Sequence, residues 1–136
     1  MDVKITERIK ALGSRLLVAD DDPVIREQLV QIGQSLGFEV HAAEDGEDAW
    51  EIFKMVWPEL AILDIYMPRM NGLLLMNKIK EANEDALVIL ITGYLHFQRV
   101  VQKNQIKPDG FIIKPFSMDT IVKEVTQLVT EYVLVD

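Results

Sequence analysis

Two textures of hydrophobic and polar positions alternate along the chain. Short, nearly unbroken apolar runs at residues 16–19, 39–42, 60–63, 86–91 and 111–113 have the length and composition of buried β-strands. Between them the apolar positions space out at helical intervals. Ile25, Leu29, Ile32 and Leu36 step by four, three and four; Ala49, Ile52, Phe53 and Val56 repeat the pattern. So do Leu75, Met76 and Ile79, and then Ile121, Val125, Leu128 and Tyr132. Residues 95–105 form a weaker helical segment with Phe97, Val100 and Val101 on its apolar side.

Local punctuation agrees. Asp22-Pro23 supplies an N-cap and a proline for the first helical position. Gly37 follows the first helix as a C-terminal glycine, and Ser117 stands before the last. Continuous apolar strands alternating with amphipathic helices predict an α/β domain: a five-stranded parallel sheet, doubly wound, with helices on both faces. Residues 1–14 precede this pattern, and Ile5, Ile9 and Leu12 suggest a helical N-terminal extension to a single domain over 15–136.

Composition narrows the function. Fourteen Lys and Arg against 22 Asp and Glu give a net charge of −8, which argues against nucleic acid as a direct partner. The absence of cysteine excludes disulfides, thiolate metal sites and cysteine nucleophiles, and two histidines are too few for a histidine-rich metal site. No apolar run approaches a membrane span, and the charged start MDVKITERIK is unlike a signal peptide. The expectation is a cytoplasmic protein with no membrane association.

In an open parallel sheet, functional groups gather beyond the carboxyl ends of the strands. The first strand ends at Asp20-Asp21-Asp22, the third at Asp64, the fourth at Thr92-Gly93 and the fifth at Lys114-Pro115. Each has an ordinary structural explanation by itself: a cap, a turn, an exposed lysine. Together they place carboxylates, a hydroxyl and an ammonium around one shallow pocket. Two or three carboxylates and a main-chain carbonyl suit a hard divalent cation such as Mg²⁺. An ionised aspartate beside it can attack phosphorus to give an acyl phosphate, with Lys114 and Thr92 neutralising and orienting the phosphoryl oxygens. Gly93 leaves room for the incoming group, and Asp22 serves mainly as a cap.

The elements LLVADDDP, AILDIYMPRMNGLLL, ILITG and FIIKPF, in this order, resemble the receiver domain of two-component response regulators, the CheY-like family. The resemblance covers about residues 14 to 133 and implies a flavodoxin-like fold. It further implies Asp64 as phosphoacceptor and Mg²⁺ (or Mn²⁺) held by Asp20, Asp21, Asp64 and the backbone carbonyl of Tyr66, with Asp20 acting largely through water. Thr92 and Lys114 match the switch hydroxyl and the phosphoryl-contacting lysine, and the Lys114-Pro115 bond is expected to be cis. A sensor histidine kinase or histidine phosphotransfer protein would be the donor, docking near Ile25, Pro115 and Phe116. The fifth strand and its flanking helices offer a possible homodimer face. Self-phosphorylation and slow self-dephosphorylation would be the only catalysis.

Some positions depart from the family's pattern. Phe111 stands where the family alternates tyrosine with phenylalanine as a rotameric switch, and without a hydroxyl it cannot hydrogen-bond there. QKNQIKPDGF lacks the small pair usual before the fifth strand, so the preceding helix is expected to be short or irregular. Tyr66 and Tyr94, two residues after Asp64 and Thr92, are expected to flank the phosphoryl group and shield it from water. An aspartyl-phosphate hydrolase of the haloacid-dehalogenase type would want an acid at position 66, where Tyr66 stands. A flavin module would need a phosphate-cradling loop where three aspartates stand. A receiver-like scaffold that binds partners without phosphorylation is the remaining alternative. The output is expected either from a stand-alone regulator or from a longer protein of which this is the N-terminal receiver.

Overall fold

The computed structural model describes residues 3–133, so residues 1–2 and 134–136 of the two expected segments lie outside the described residues. The elements run α1 (Val3–Ala11), β1 (Arg15–Ala19), α2 (Pro23–Ser35), β2 (Glu39–Ala43), α3 (Gly46–Val56), β3 (Leu60–Asp64), α4 (Gly72–Ala82), β4 (Leu87–Thr92), α5 (Phe97–Lys103), β5 (Gly110–Ile113) and α6 (Met118–Leu128). A π-helical turn, Val129–Val133, continues α6.

All five strands are parallel, in the order β2-β1-β3-β4-β5. The chain leaves β1 for one edge and then returns to its other side for β3, so a crevice opens between the loops that follow these two strands. Alternate residues of each strand serve opposite faces. Leu16, Val18, Leu60, Ile62, Ile89 and Ile91 join one core with α1, α2 and α6. Leu17, Ala19, Ala61, Leu63, Val88 and Leu90 join the other with α3, α4 and α5. Burial on both faces explains why the strands read as continuous apolar runs rather than as alternation.

Side-chain caps fix where the helices begin, and hence where the loops before them must end. Asp22 accepts from the Val24 N–H at 2.9 Å, Asp45 from Asp48 N–H at 2.8 Å, Asn71 from Leu74 N–H at 2.9 Å and Ser117 from Thr120 N–H at 3.2 Å. Two of these, Asp45 and Asn71, were not expected as caps; Asn71 reads in sequence only as part of an Asn-Gly turn.

Several expected positions move. The fourth strand begins at Leu87 and extends to Thr92, because Ala86 closes a turn onto the Asn83 carbonyl. Helix α5 has 7 residues and no side-chain N-cap bond, as its polar sequence suggests. Leu12 lies past the end of α1 and is exposed, whereas Ile9 is fully buried in the first core. Tyr132, spaced as a core position of the last helix, is instead exposed: the wider π-helical turn shifts it off the α-helical face.

Candidate functional site

The carboxyl ends of β1, β3, β4 and β5 border a cleft of about 550 Å³ whose lining includes Asp21, Asp64, Gly93, Lys114 and the two tyrosines Tyr66 and Tyr94. Asp22 and Ile25 complete one wall. Asp20 stands behind it, fully buried, with Oδ1 accepting from the Asp22 N–H at 2.9 Å. Parallel pairing of Ala19 with Leu63 and of Asp64 with Ile91 puts these strand ends side by side, which is why residues far apart in sequence meet here.

Lys114 is the hub. Its Nζ lies 2.9 Å from Asp20 Oδ2 and 3.1 Å from Asp64 Oδ2. The contact to Asp64 is a hydrogen bond. The contact to Asp20 is close as an ion pair, but Asp20 Oδ2 lacks a well-directed donor and is the one buried side-chain oxygen among the described residues without one. The other Asp64 oxygen accepts from the Tyr66 N–H at 3.2 Å. Burial and the neighbouring Asp20 carboxylate push Asp64 up to about 6, against the opposing pull of Lys114 and the Tyr66 amide. Burial also disfavours the Lys114 ammonium, but Asp20 and Asp64 more than offset it and hold its proton above the ordinary lysine range.

Ligand oxygens of Asp20, Asp21 and Asp64 lie within 4.8 Å of one another. An octahedral Mg²⁺ with bonds of 2.0–2.1 Å spaces its ligand atoms by up to roughly 4.2 Å, so small side-chain adjustment or an intervening water suffices. The undirected buried Asp20 oxygen and the all-oxygen donor set both fit such a cation.

The remaining expected residues fall in distinct places. Thr92 is buried; its Oγ1 accepts from the Tyr94 N–H at 3.0 Å, which leaves the hydroxyl proton free to donate. Gly93 is not demanded by packing, since a Cβ there would lie 3.7 Å from Lys114 Cβ, an ordinary contact. The Lys114–Pro115 peptide is cis. Phe111 is half-buried against the second core. Ile25 and Phe116, expected as docking contacts, also pack against the first core and are half-buried, and only Pro115 of the three is exposed. The Tyr66 and Tyr94 rings lie 5.3 Å apart, centroid to centroid, and both are exposed.

Sequence reasoning missed what shapes the loop after Asp64. Gly72 packs on the Asp64 carbonyl so closely that a Cβ would lie 2.2 Å from its oxygen. Gly46 packs likewise on Met70, where a Cβ would lie 1.9 Å from the carbonyl oxygen. Arg69, between them, takes a left-handed backbone with φ 70° and reaches Asp45 at 3.8 Å. The Asn-Gly pair hints at Gly72, but Gly46 and Arg69 carry no local signal of this contact.

A doubly wound α/β domain with an acidic, lysine-bearing crevice at its switch point is the architecture of receiver domains. The chain belongs to the response regulator receiver domain family, whose model matches residues 16–126; it is a receiver domain of two-component systems. It is 32% identical over 117 residues to the chemotaxis protein CheY of Bacillus subtilis, covering 85% of this chain and 98% of that protein. It is 30% identical over 108 residues to the regulatory protein AtoC of Escherichia coli, covering 79% of this chain but 23% of that longer protein. Among solved structures, response regulator TrrA of Thermotoga maritima in complex with Mg²⁺-BeF is 36% identical, with TM-score 0.76 over 85% of this chain and 98% of that one. Among the described residues, no helix is long and apolar enough to cross a membrane.

Proposed function

We propose that this receiver accepts a phosphoryl group on Asp64 with Mg²⁺ held by Asp20, Asp21, Asp64 and the Tyr66 carbonyl. The convergence of Lys114 on the Asp20 and Asp64 carboxylates is the observation that carries this reading. It leaves Asp64 between a cation and an acidic cluster, ionised at neutral pH and facing an open cleft. A phosphohistidine on a sensor kinase or phosphotransfer protein is the donor. An Asp64 carboxylate oxygen attacks phosphorus as the P–N bond breaks, and the electron pair returns to the ring nitrogen, which takes up a proton. Lys114 then meets a phosphoryl oxygen, and the Thr92 hydroxyl donates to another. Bound Mg²⁺ supplies charge neutralisation and orients the transferred group.

Apart from this self-modification and slow reversal of it, the domain is not an enzyme. Donor docking uses the surface near Ile25, Pro115 and Phe116. The face of α5, β5 and α6, where Val100 and Met118 are exposed, is the surface for self-association or output. Both a stand-alone regulator of CheY's length and a longer protein like AtoC are compatible with this role.

Phosphotransfer decides it. Wild type incubated with Mg²⁺ and a small phosphoramidate donor should gain one acid-labile phosphoryl group by mass spectrometry. Asp64→Asn should gain none, and EDTA should abolish the signal. Unmodified wild type overturns the assignment and favours the scaffold; full modification of Asp64→Asn overturns it by placing the phosphoryl group on another residue.

A further inference from the structure

Arg26 lies on no strand end, and no motif singles it out. It sits in α2 just after the first turn, its N–H bonded to the Asp22 carbonyl at 2.9 Å. Its half-buried side chain turns back toward the helix start, as helical side chains do. There Nη1 donates to the main-chain carbonyl of Asp20 at 2.9 Å. A cation this near a helix N-terminus faces the positive end of the macrodipole, which opposes it.

The consequence for Asp20 is nearly complete immobilisation. Its N–H donates to the Ala43 carbonyl at 3.2 Å, its carbonyl accepts from Arg26, and its Oδ1 accepts from Asp22. Only Oδ2 lacks a directed donor, and this atom belongs to the carboxylate that joins Asp21 and Asp64 in the oxygen cluster. The two nearby cations therefore do different things. Lys114 contacts the carboxylate oxygens themselves and competes with any metal for them. Arg26 takes a main-chain oxygen and leaves the ligand atoms available.

We infer that Arg26 is a positioning residue for the metal site: its bond to the Asp20 carbonyl holds the β1–α2 loop with Asp20 and Asp21 already converged on Asp64. The inference rests on the reading of that cluster as a Mg²⁺ site. Its test has a built-in sign. If Arg26 acted only through its charge, removing it would strengthen binding of a divalent cation, because like charges repel. Positioning requires the opposite.

Mg²⁺ is titrated into the full chain by calorimetry and by amide NMR shifts of Asp20, Asp21 and Asp22, with no phosphoryl donor present. Arg26→Met, which keeps the apolar stem, should weaken binding about 5- to 10-fold, as expected for loss of one charge-assisted bond and of loop order. Arg26→Lys, which restores donor and charge, should return to within about 2-fold of wild type on the same grounds. Unchanged or tighter binding in Arg26→Met overturns the inference while leaving the metal site in place. Should that variant unfold, Arg26→Gln carries the same test: weaker binding supports positioning, and equal or tighter binding overturns it. A wild type that binds no Mg²⁺ at millimolar concentrations removes the metal site, and this inference with it.

Discussion

At the scale of the residue, the central fact is that Asp64 is a buried carboxylate with a second carboxylate beside it and one lysine to serve both. Its affinity for a proton is raised in the fold, to about 6. A group with a raised native pKa favours folding at low pH, and that advantage is lost as pH climbs from the unfolded value, near 4, through 6. The metal-free protein should therefore lose stability between pH 4 and 7 on account of Asp64. Asp64→Asn should be more stable than wild type by about 1–2 kcal/mol at pH 7.5 and no more stable at pH 4. Thermal melts with EDTA at both pH values check this; a gain that persists undiminished at pH 4 contradicts it. The tyrosine pair supports a kinetic prediction of the same scale. The Tyr66 and Tyr94 rings lie 5.3 Å apart at the cleft, and the shielding expected of them makes an acyl phosphate on Asp64 depend on both for its lifetime. Tyr66→Asn/Tyr94→Ala should hydrolyse its phospho-Asp several-fold faster, by decay of labelled protein. An equal or slower decay contradicts shielding.

At the scale of the element, the loop from β3 to α4 is held by close backbone packing as well as by side-chain bonds. Gly46 starts α3 against the Met70 carbonyl, and Gly72 starts α4 against the Asp64 carbonyl. The N-caps Asp45 and Asn71 adjoin these contacts, so two helix starts and the loop after Asp64 form one packed unit. Gly46→Ala would place a methyl 1.9 Å from a main-chain oxygen, a clash no rotamer relieves. It should destabilise by about 3 kcal/mol in urea denaturation. Gly93→Ala, whose Cβ meets only Lys114 Cβ at 3.7 Å, should change stability by less than about 0.5 kcal/mol. Equal effects of the two substitutions would remove the packing argument. Of this unit only the Asn-Gly turn was visible in sequence, because a contact between α3 and a loop more than twenty residues later leaves no periodic trace.

At the scale of the whole molecule, the N-terminal helix is part of the domain's core. Ile9 is fully buried among residues of α2, α6 and the sheet, and the Ile9 carbonyl accepts from the Ser14 N–H at 3.2 Å, just before β1 starts. This contact lies at the amino end of the sheet, remote from the carboxyl-end crevice. Ile9→Ala should therefore cost about 2–4 kcal/mol of unfolding free energy while leaving Mg²⁺ affinity within about 2-fold. A loss of metal binding in the folded variant would show that the two ends of the sheet are coupled.

What the sequence determined by itself is whatever is encoded at short range. Strand runs, helical periodicity, the Asp22 cap and the identity of the groups at each strand end are all properties of neighbouring residues, and the parallel doubly wound sheet follows from their alternation. Even the residues that converge on the crevice were legible, because the sheet's topology sends every strand end to one rim. Tertiary structure alone decided the rest: the bridging of Asp20 and Asp64 by one lysine, the bond of Arg26 to the Asp20 carbonyl, the tyrosine pair, and the close approach that forbids side chains at Gly46 and Gly72. These depend on distances set by strand register and helix packing, which no stretch of sequence specifies locally. The π-helical turn that exposes Tyr132 belongs with them, since one extra residue per turn shifts a side chain off a face that an ideal helix would bury.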